Sequence, residues 1–335
     1  MKIGSKIILI VSVVFVIGIF YWALYSPKQD MSSRIYETLK DQEKKADFSF
    51  KGVTFEEVVA GVKYWQLLAD SASVNKSTGI AVLKDCQGTF FKKGRPALCF
   101  RSPTALWNMK KKEILLDKPI GYDVKLETRI SALVKTLKSS DLSVFNLPQL
   151  YKKEAGYWFK AKNLSWKLAD ESLLCTGGIV LNKGEATGYA EKLEGDVALE
   201  RVILDGKPKV SISSRDSAPT TVESDAFEIL SRENLIIAKG NPRITWGEAL
   251  VLTDALKYRQ AERTLDLSGN VKINYKDIIA YGDSAYYLID EGKIVLKGSA
   301  RAEQLTNKLS GEQVSVSLKD RKISVAGRGK VIINE

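Results

Sequence analysis

The chain of 335 residues contains no histidine. That removes His-based triads, most zinc sites and the commonest general base. Three cysteines, Cys86, Cys99 and Cys175, fall at no metal-ligand spacing. No glycine-rich phosphate loop is present; Gly177-Gly178 lies between Leu173-Leu174 and Ile179-Val180-Leu181 and reads as a strand bend. No carboxylate pair stands at a recognisable catalytic spacing. The expectation is therefore a protein that is not an enzyme, with no metal and no cofactor. What recurs is of another kind. Gly240, Gly269, Gly298 and Gly327 follow one another at a constant step of 29 residues. An acid keeps the same step at Asp225, Asp254, Asp283 and Glu312, and apolar residues keep it at Ile229, Tyr258, Tyr287 and Val316 and at Ile236, Leu265, Ile294 and Ile323. The chemistry on offer is apolar burial, repeated. Lys plus Arg number 51 against 40 Asp plus Glu, a net +11. That balance suits an anionic lipid, membrane surface or polymer, or plain solubility.

The elements that must present these residues are strands. In the second unit, Leu256 and Tyr258 alternate with Ala255 and Lys257; Leu265 and Leu267 then lead to Gly269, Val271 and Ile273. In the fourth, Val314, Val316 and Leu318 are followed by Ile323, Val325, Gly327 and Val331. Alternation of this kind buries one face of a strand. Each unit is read as two strands joined by polar turns such as Leu318-Lys319-Asp320-Arg321, with a bend at its glycine. A unit too small to close its own core stacks on its neighbours, which predicts an elongated all-β object with a long continuous surface. From Phe48 onward, strand patterning and frequent turn signals indicate an all-β first region as well. Thr128–Ser140 fits a short helix or a strand. Cys86 and Cys99 flank the turn Lys92–Pro96, where a disulfide is possible in an oxidising compartment, although their register about the turn is offset.

Residues Ile7 to Tyr25 carry no charge. As a helix they would span about 28 Å, close to the ~30 Å hydrocarbon core of a bilayer. Lys2 and Lys6 precede the run, and Phe20, Tyr21, Trp22 and Tyr25 crowd its far end. Both features predict a retained single-pass helix with the N-terminus in the cytoplasm. The alternative, a cleaved signal peptide, is disfavoured by the bulky Phe20-Tyr21-Trp22. The expected organisation is an anchor at 1–27, a charged stalk at 28–47, a first β domain at 48–213 and a β-repeat domain at 214–335, the last change marked by the loop-like Ser211–Thr220.

The run Gly52-Val53-Thr54-Phe55-Glu56-Glu57-Val58, with Gly61-Val62-Lys63-Tyr64-Trp65-Gln66-Leu67-Leu68-Ala69-Asp70-Ser71-Ala72, resembles the start of the LptC family, the anchored periplasmic proteins of the lipopolysaccharide export bridge. Leu98–Asn108 and Glu113-Ile114-Leu115-Leu116 are similar to the strands that follow. From Ala218-Pro219 onward the pattern is similar to LptA and its OstA-like domain, carried by Thr253-Asp254-Ala255-Leu256-Lys257-Tyr258 and Gly269-Asn270-Val271-Lys272-Ile273. The first and third units depart from that pattern, at Gly240-Asn241-Pro242-Arg243-Ile244 and Gly298-Ser299-Ala300-Arg301-Ala302. The length exceeds that of a simple LptC, so the chain looks like both in one polypeptide.

The resemblance implies an open, twisted β-jellyroll, a V of two sheets whose apolar interior holds acyl chains. It also implies lipopolysaccharide as cargo, an inner-membrane ABC transporter of the LptBFG type as donor, and an LptA-like or outer-membrane LptD-type acceptor, with the bulk of the chain in the periplasm and no nucleic-acid partner. With Asp254, Leu256 and Tyr258 read as one strand face, the expected trough lining is Leu256, Tyr258, Leu265 and Leu267, with Phe227, Ile229 and Ile236 in the first unit and Tyr287, Ile294 and Leu296 in the third. Lys257 is expected outside. The terminal strand, with Val331, Ile332 and Ile333, is expected to be a joining edge, since unpaired strands invite pairing. The competing reading is an anchored β-repeat scaffold with a solid core and no lipid.

Overall fold

The computed structural model describes residues 46–128, 156–213 and 218–333. The expected anchor and all of the stalk but residues 46–47 lie outside these residues, as does most of Thr128–Ser140; residues 124–128 are helical. Among the described residues no helix is long and apolar enough to cross a membrane.

Alternating hydrophobicity yields strands almost throughout. Among the described residues twenty-three of them join into one antiparallel sheet. Its order follows a simple rule. Long strands, such as Thr264–Tyr275, Ile278–Leu288 and Lys293–Gln304, pair along their whole length but shift register once near the middle. Elsewhere the same layer is made of two short strands. Ala226–Leu230 and Leu235–Lys239 pair on one side, Thr220–Glu223 and Arg243–Trp246 on the other. The sheet is thus folded lengthwise into two limbs that share every long strand. The first limb contains Glu113–Asp117, Asn163–Lys167, Arg201–Asp205 and Ala255–Arg259. The second contains Ile120–Tyr122, Tyr157–Lys160, Lys209–Ile212 and Ala249–Leu252.

Inward residues of both limbs form one core that runs from Trp65 to Leu318. Its filling changes along the length. Near the N-terminal end it is aromatic, with Trp65, Phe90, Phe100, Phe159 and Trp166 all fully buried, Phe90 lying 4.7 Å from Phe100 and 5.5 Å from Trp166 between ring centroids. Further on it is aliphatic with Tyr258, Tyr275 and Tyr287. The sheet and core continue across the expected boundary at 213/214. Lys209–Ile212 pairs with Thr220–Glu223 and Arg201–Asp205 with Ala226–Leu230.

The three cysteines are free and buried. Cys86 stands opposite Ser102 and Cys99 opposite Thr89, so the two thiols are three residues out of register. Cys86 belongs to the main core; Cys99 packs outside the sheet with Tyr122 and Leu126. Desolvation pushes the Cys86 thiol up to about 12, the Cys99 thiol up to about 11, and Cys175 higher still. Burial likewise lifts Tyr258 and Tyr287 to about 12. In each case the unfolded chain releases a proton that the native state keeps, so stability is complete below the unfolded values near pH 9 to 10 and falls as pH rises toward 11 to 12. Two results are expected. A thiol reagent at pH 8 should find no reactive cysteine until denaturant is added, and then three; urea midpoints should decline steadily above pH 9.

Candidate functional site

The recurring glycine is the hinge between the limbs. Gly240, Gly269, Gly298 and Gly327 have φ of +82°, +78°, +69° and +82°, and Asn241, Asn270 and Ser299 beside the first three are also left-handed. This places the bulge at one height in every layer. The acid fifteen residues earlier closes over the glycine of the neighbouring strand. A Cβ on Gly240 would lie 2.7 Å from Asp225 Cγ, and one on Gly269 would lie 2.9 Å from Asp254 Cβ. Asn270 Nδ2 donates to Asp254 Oδ2 at 2.7 Å, and Ser299 Oγ lies 3.2 Å from Asp283 Oδ2. Asp254 is therefore an exposed corner residue and not a member of the buried face of Leu256 and Tyr258, because the strand begins at Ala255, after the turn.

The ten expected lining residues are all buried and all face inward. Register joins them into two ladders. One runs Ile229, Ile236, Tyr258, Leu265, Tyr287, Ile294; the other runs Phe227, Ala238, Leu256, Leu267, Ala285, Leu296. Both ladders belong to the first limb. The facing wall, on the second limb, is Val222, Ile244, Val251, Ile273, Ala280 and Ala302. The signal for this wall was present, since Ile244, Ile273 and Ala302, and likewise Val222, Val251 and Ala280, keep the same 29-residue step. Tyr287 Oη, one of the few polar atoms in this interior, lies 3.4 Å from Thr220 Oγ1 across the limbs.

The limbs part at mid-length. A cavity of ≈ 190 Å³ opens there, walled by Leu181, Ala186, Gly188, Leu199, Val202 and Val210 together with Ile229 and Ile236. Its polar lining is gathered at Lys183, Ser231, Asn234 and Gln260. Two bonds cross the lips of the V, Lys183 Nζ donating to Ser231 O at 3.3 Å and Gln260 Nε2 to Lys183 O at 3.4 Å, while within the first limb Gln260 N donates to Asn234 O at 2.9 Å. Burial holds the Lys183 ammonium below its ordinary pKa, because removing it from water disfavours the charged form.

Beside this rim, Arg263 pairs with Glu185 of the second limb, donates to Ser213 O at 3.0 Å and to both Asp290 oxygens at 2.9 Å. Further along, Lys92 reaches Glu200 at 2.8 Å and Asp196 at 3.5 Å. Lys92, and then Arg232, holds the Glu200 carboxyl below the usual range. Tyr275 Oη donates to Leu318 O at 2.9 Å. The lips are laced by bonds that a small separation would break.

The ends are open. The last strand, Lys322–Ile332, pairs with Asn307–Ser317 and with no other described strand. Val331, Ile332 and Ile333 are 56, 38 and 73% exposed. At the other end Phe48 and Phe50, on the inward side of Phe48–Val59, are 50 and 44% exposed and stack at 6.3 Å.

Residues 221–322 match the family model described as LptA/(LptD N-terminal domain) LPS transport protein. No curated protein matches the chain. Among solved structures, LptH, the LptA homologous periplasmic component of the lipopolysaccharide transport device of Pseudomonas aeruginosa, is 17% identical over 35% of this chain and 96% of its own, with a TM-score of 0.33.

Proposed function

We propose that this chain is a lipopolysaccharide-carrying component of a transport bridge. The observation that carries the reading is the family match over 221–322, which covers the layers in which both apolar walls repeat. In this reading the chain is a carrier and not an enzyme. Residues 7–25 anchor it in the inner membrane, with the N-terminus in the cytoplasm and the rest in the periplasm. An ABC transporter of the LptBFG type supplies the cargo at the N-terminal end, and an LptA-like or LptD-type protein takes it at the C-terminal edge.

The physics agrees with such a role. Acyl chains gain about 0.8 kcal/mol for each methylene taken from water, and the interior offers an uninterrupted apolar lining. The phosphorylated head stays outside, within reach of lysine and arginine side chains. Loading requires the limbs to spread, because the lining residues pack against one another as they stand. That same packing favours the second reading, a cargo-free scaffold.

The test is a photoreactive amino acid placed along one strand. At Leu256 and Leu267 it should capture lipopolysaccharide, and at Lys257, on the opposite face, it should capture little. Equal capture by both parities would contradict an interior carrier.

The terminal edge yields a separate expectation. Ile332 stands at the last register position, opposite Lys308. Ile332→Pro removes one backbone donor and stiffens that edge. It should reduce recovery of the acceptor protein in a pull-down while circular dichroism stays unchanged. Full recovery by the folded variant would move the joint elsewhere.

A further inference from the structure

We propose that the laced rim at mid-length is a side portal: it admits a single-chain anionic amphiphile into the cavity between the limbs, with the apolar tail inside and the anionic head on Lys183. The proposal rests on the carrier reading and adds to it a point of admission other than the two ends.

Four observations converge here. The cavity is apolar within and polar at its rim, which is the distribution an amphiphile requires. An apolar cavity of roughly 150 Å³ already takes a benzene-sized guest and stays dry without one, so ≈ 190 Å³ accommodates a short length of alkyl chain. Lys183 is half-buried at that rim, and its ammonium donates to a carbonyl, Ser231 O. Among the described residues it forms no ion pair, so an incoming phosphate or carboxylate would replace a neutral acceptor by a charged one. Glu185, the acid nearest in sequence, is already engaged by Arg263.

The fourth observation is the mechanics. The rim consists of turns: residues 183–185 from the second limb, and residues 231–234 and 260–263 from the first. The two first-limb turns share a backbone bond, Gln260 N to Asn234 O, but what joins them to the second limb is a few side-chain bonds and no backbone ladder. Gly184, at φ +59°, lies so close that a Cβ would stand 3.2 Å from Gln260 Nε2. Opening the rim needs no strand to unpair. At the N-terminal end, by contrast, the interior is filled by aromatic rings, so an alkyl chain arriving there would have to displace packed side chains.

The experiment uses the full chain in nanodiscs and two probes, dodecyl phosphate and dodecanol, each with a diazirine near the tail end. Labelling by dodecyl phosphate should map to Leu199, Val202 and Ile229. Lys183→Met should weaken capture of the phosphate about tenfold, the scale of one charge-assisted hydrogen bond, and leave dodecanol capture unchanged. Lys183→Arg should restore the phosphate. With Glu185→Cys and Arg263→Cys joined by a reducible bifunctional reagent, uptake should slow by at least that factor and recover on reduction.

Uptake at the unlinked rate by the joined protein, or labels confined to Phe48, Phe50 and Val331, would overturn the portal while leaving the carrier standing, since cargo would then arrive through the ends. Equal loss of both probes in Lys183→Met, with the melting curve preserved, would overturn the role of the charge. No label at any interior residue, together with no lipopolysaccharide captured at Leu256, would count against portal and carrier alike.

Discussion

Gly240→Ala should destabilise the protein by about 2–5 kcal/mol, the sum of a left-handed backbone imposed on a side chain and the overlap of its Cβ with Asp225. The glycine sits at φ +82°, and the added carbon would lie 2.7 Å from Asp225 Cγ and 2.8 Å from Asp225 Cβ. The two contributions separate experimentally. Asp225→Gly removes the overlap and leaves the backbone strain, so the double variant should be more stable than the two single effects predict. A double-mutant cycle from urea denaturation midpoints measures this coupling. Additive effects would show that the acid does not close over the hinge. The same cycle at Gly269 and Asp254 should give the same sign.

Leu267→Asp should be more damaging, costing more than about 4 kcal/mol, because it leaves an unpaired carboxylate in the centre of the apolar wall. Leu267 is 2% exposed and stands between Leu256 and Ala285. Leu267→Ala at the same position should cost about 2–5 kcal/mol through lost transfer energy and the void left behind. Lys257→Gln, on the outer side of the adjacent strand, should change stability by no more than about 0.5 kcal/mol. Thermal melts of the three variants rank the effects. Near-equal losses at Leu267 and Lys257 would mean that the two faces of this limb are not as distinct as the register makes them.

The last four layers were legible because one step of 29 residues places hinge, acid and wall together. The structure shows that the same device begins earlier. Lys162 and Gly177, and Glu191 and Gly206, are also fifteen residues apart, with φ of +78° and +82° at the glycines and a Cβ distance of 2.8 Å to the earlier residue in both cases. Gly177 and Gly206 even keep the 29-residue step; the longer interval from Gly206 to Gly240 then hides the continuity. Nearer the N-terminus the left-handed residues at the corresponding breaks are Gly52, Asp85 and Lys118, so the signature glycine is kept only in the first strand while the geometry persists. The step changes at the border expected between the two β regions, and strands pair across it.

One wall of the interior was found and the other was not. Leu256, Tyr258, Leu265 and Leu267 stand out as large residues, whereas the second wall falls off to Ala280 and Ala302. Small residues give a weak periodic signal even when fully buried. The cavity and its rim were beyond reach for another reason. Lys183, Ser231 and Gln260 meet only because the limbs fold onto each other, and no local pattern encodes bonds between residues so far apart in the chain. The cysteine register was readable from the turn at Lys92–Pro96, and the pair is indeed offset.

The central claim is that this interior carries lipopolysaccharide, and it meets its most direct test in the lipid that accompanies the protein. The full chain would be purified from lipopolysaccharide-producing cells in mild detergent, extracted with organic solvent and analysed by mass spectrometry, with the folded variant carrying Ala198→Trp and Ala186→Phe, both at the cavity wall, measured in parallel. The account predicts a stoichiometric lipopolysaccharide signal from the native chain and a clear loss from the filled variant. Native protein that is folded yet free of lipopolysaccharide would contradict it, and would leave a stacked β scaffold as the better description.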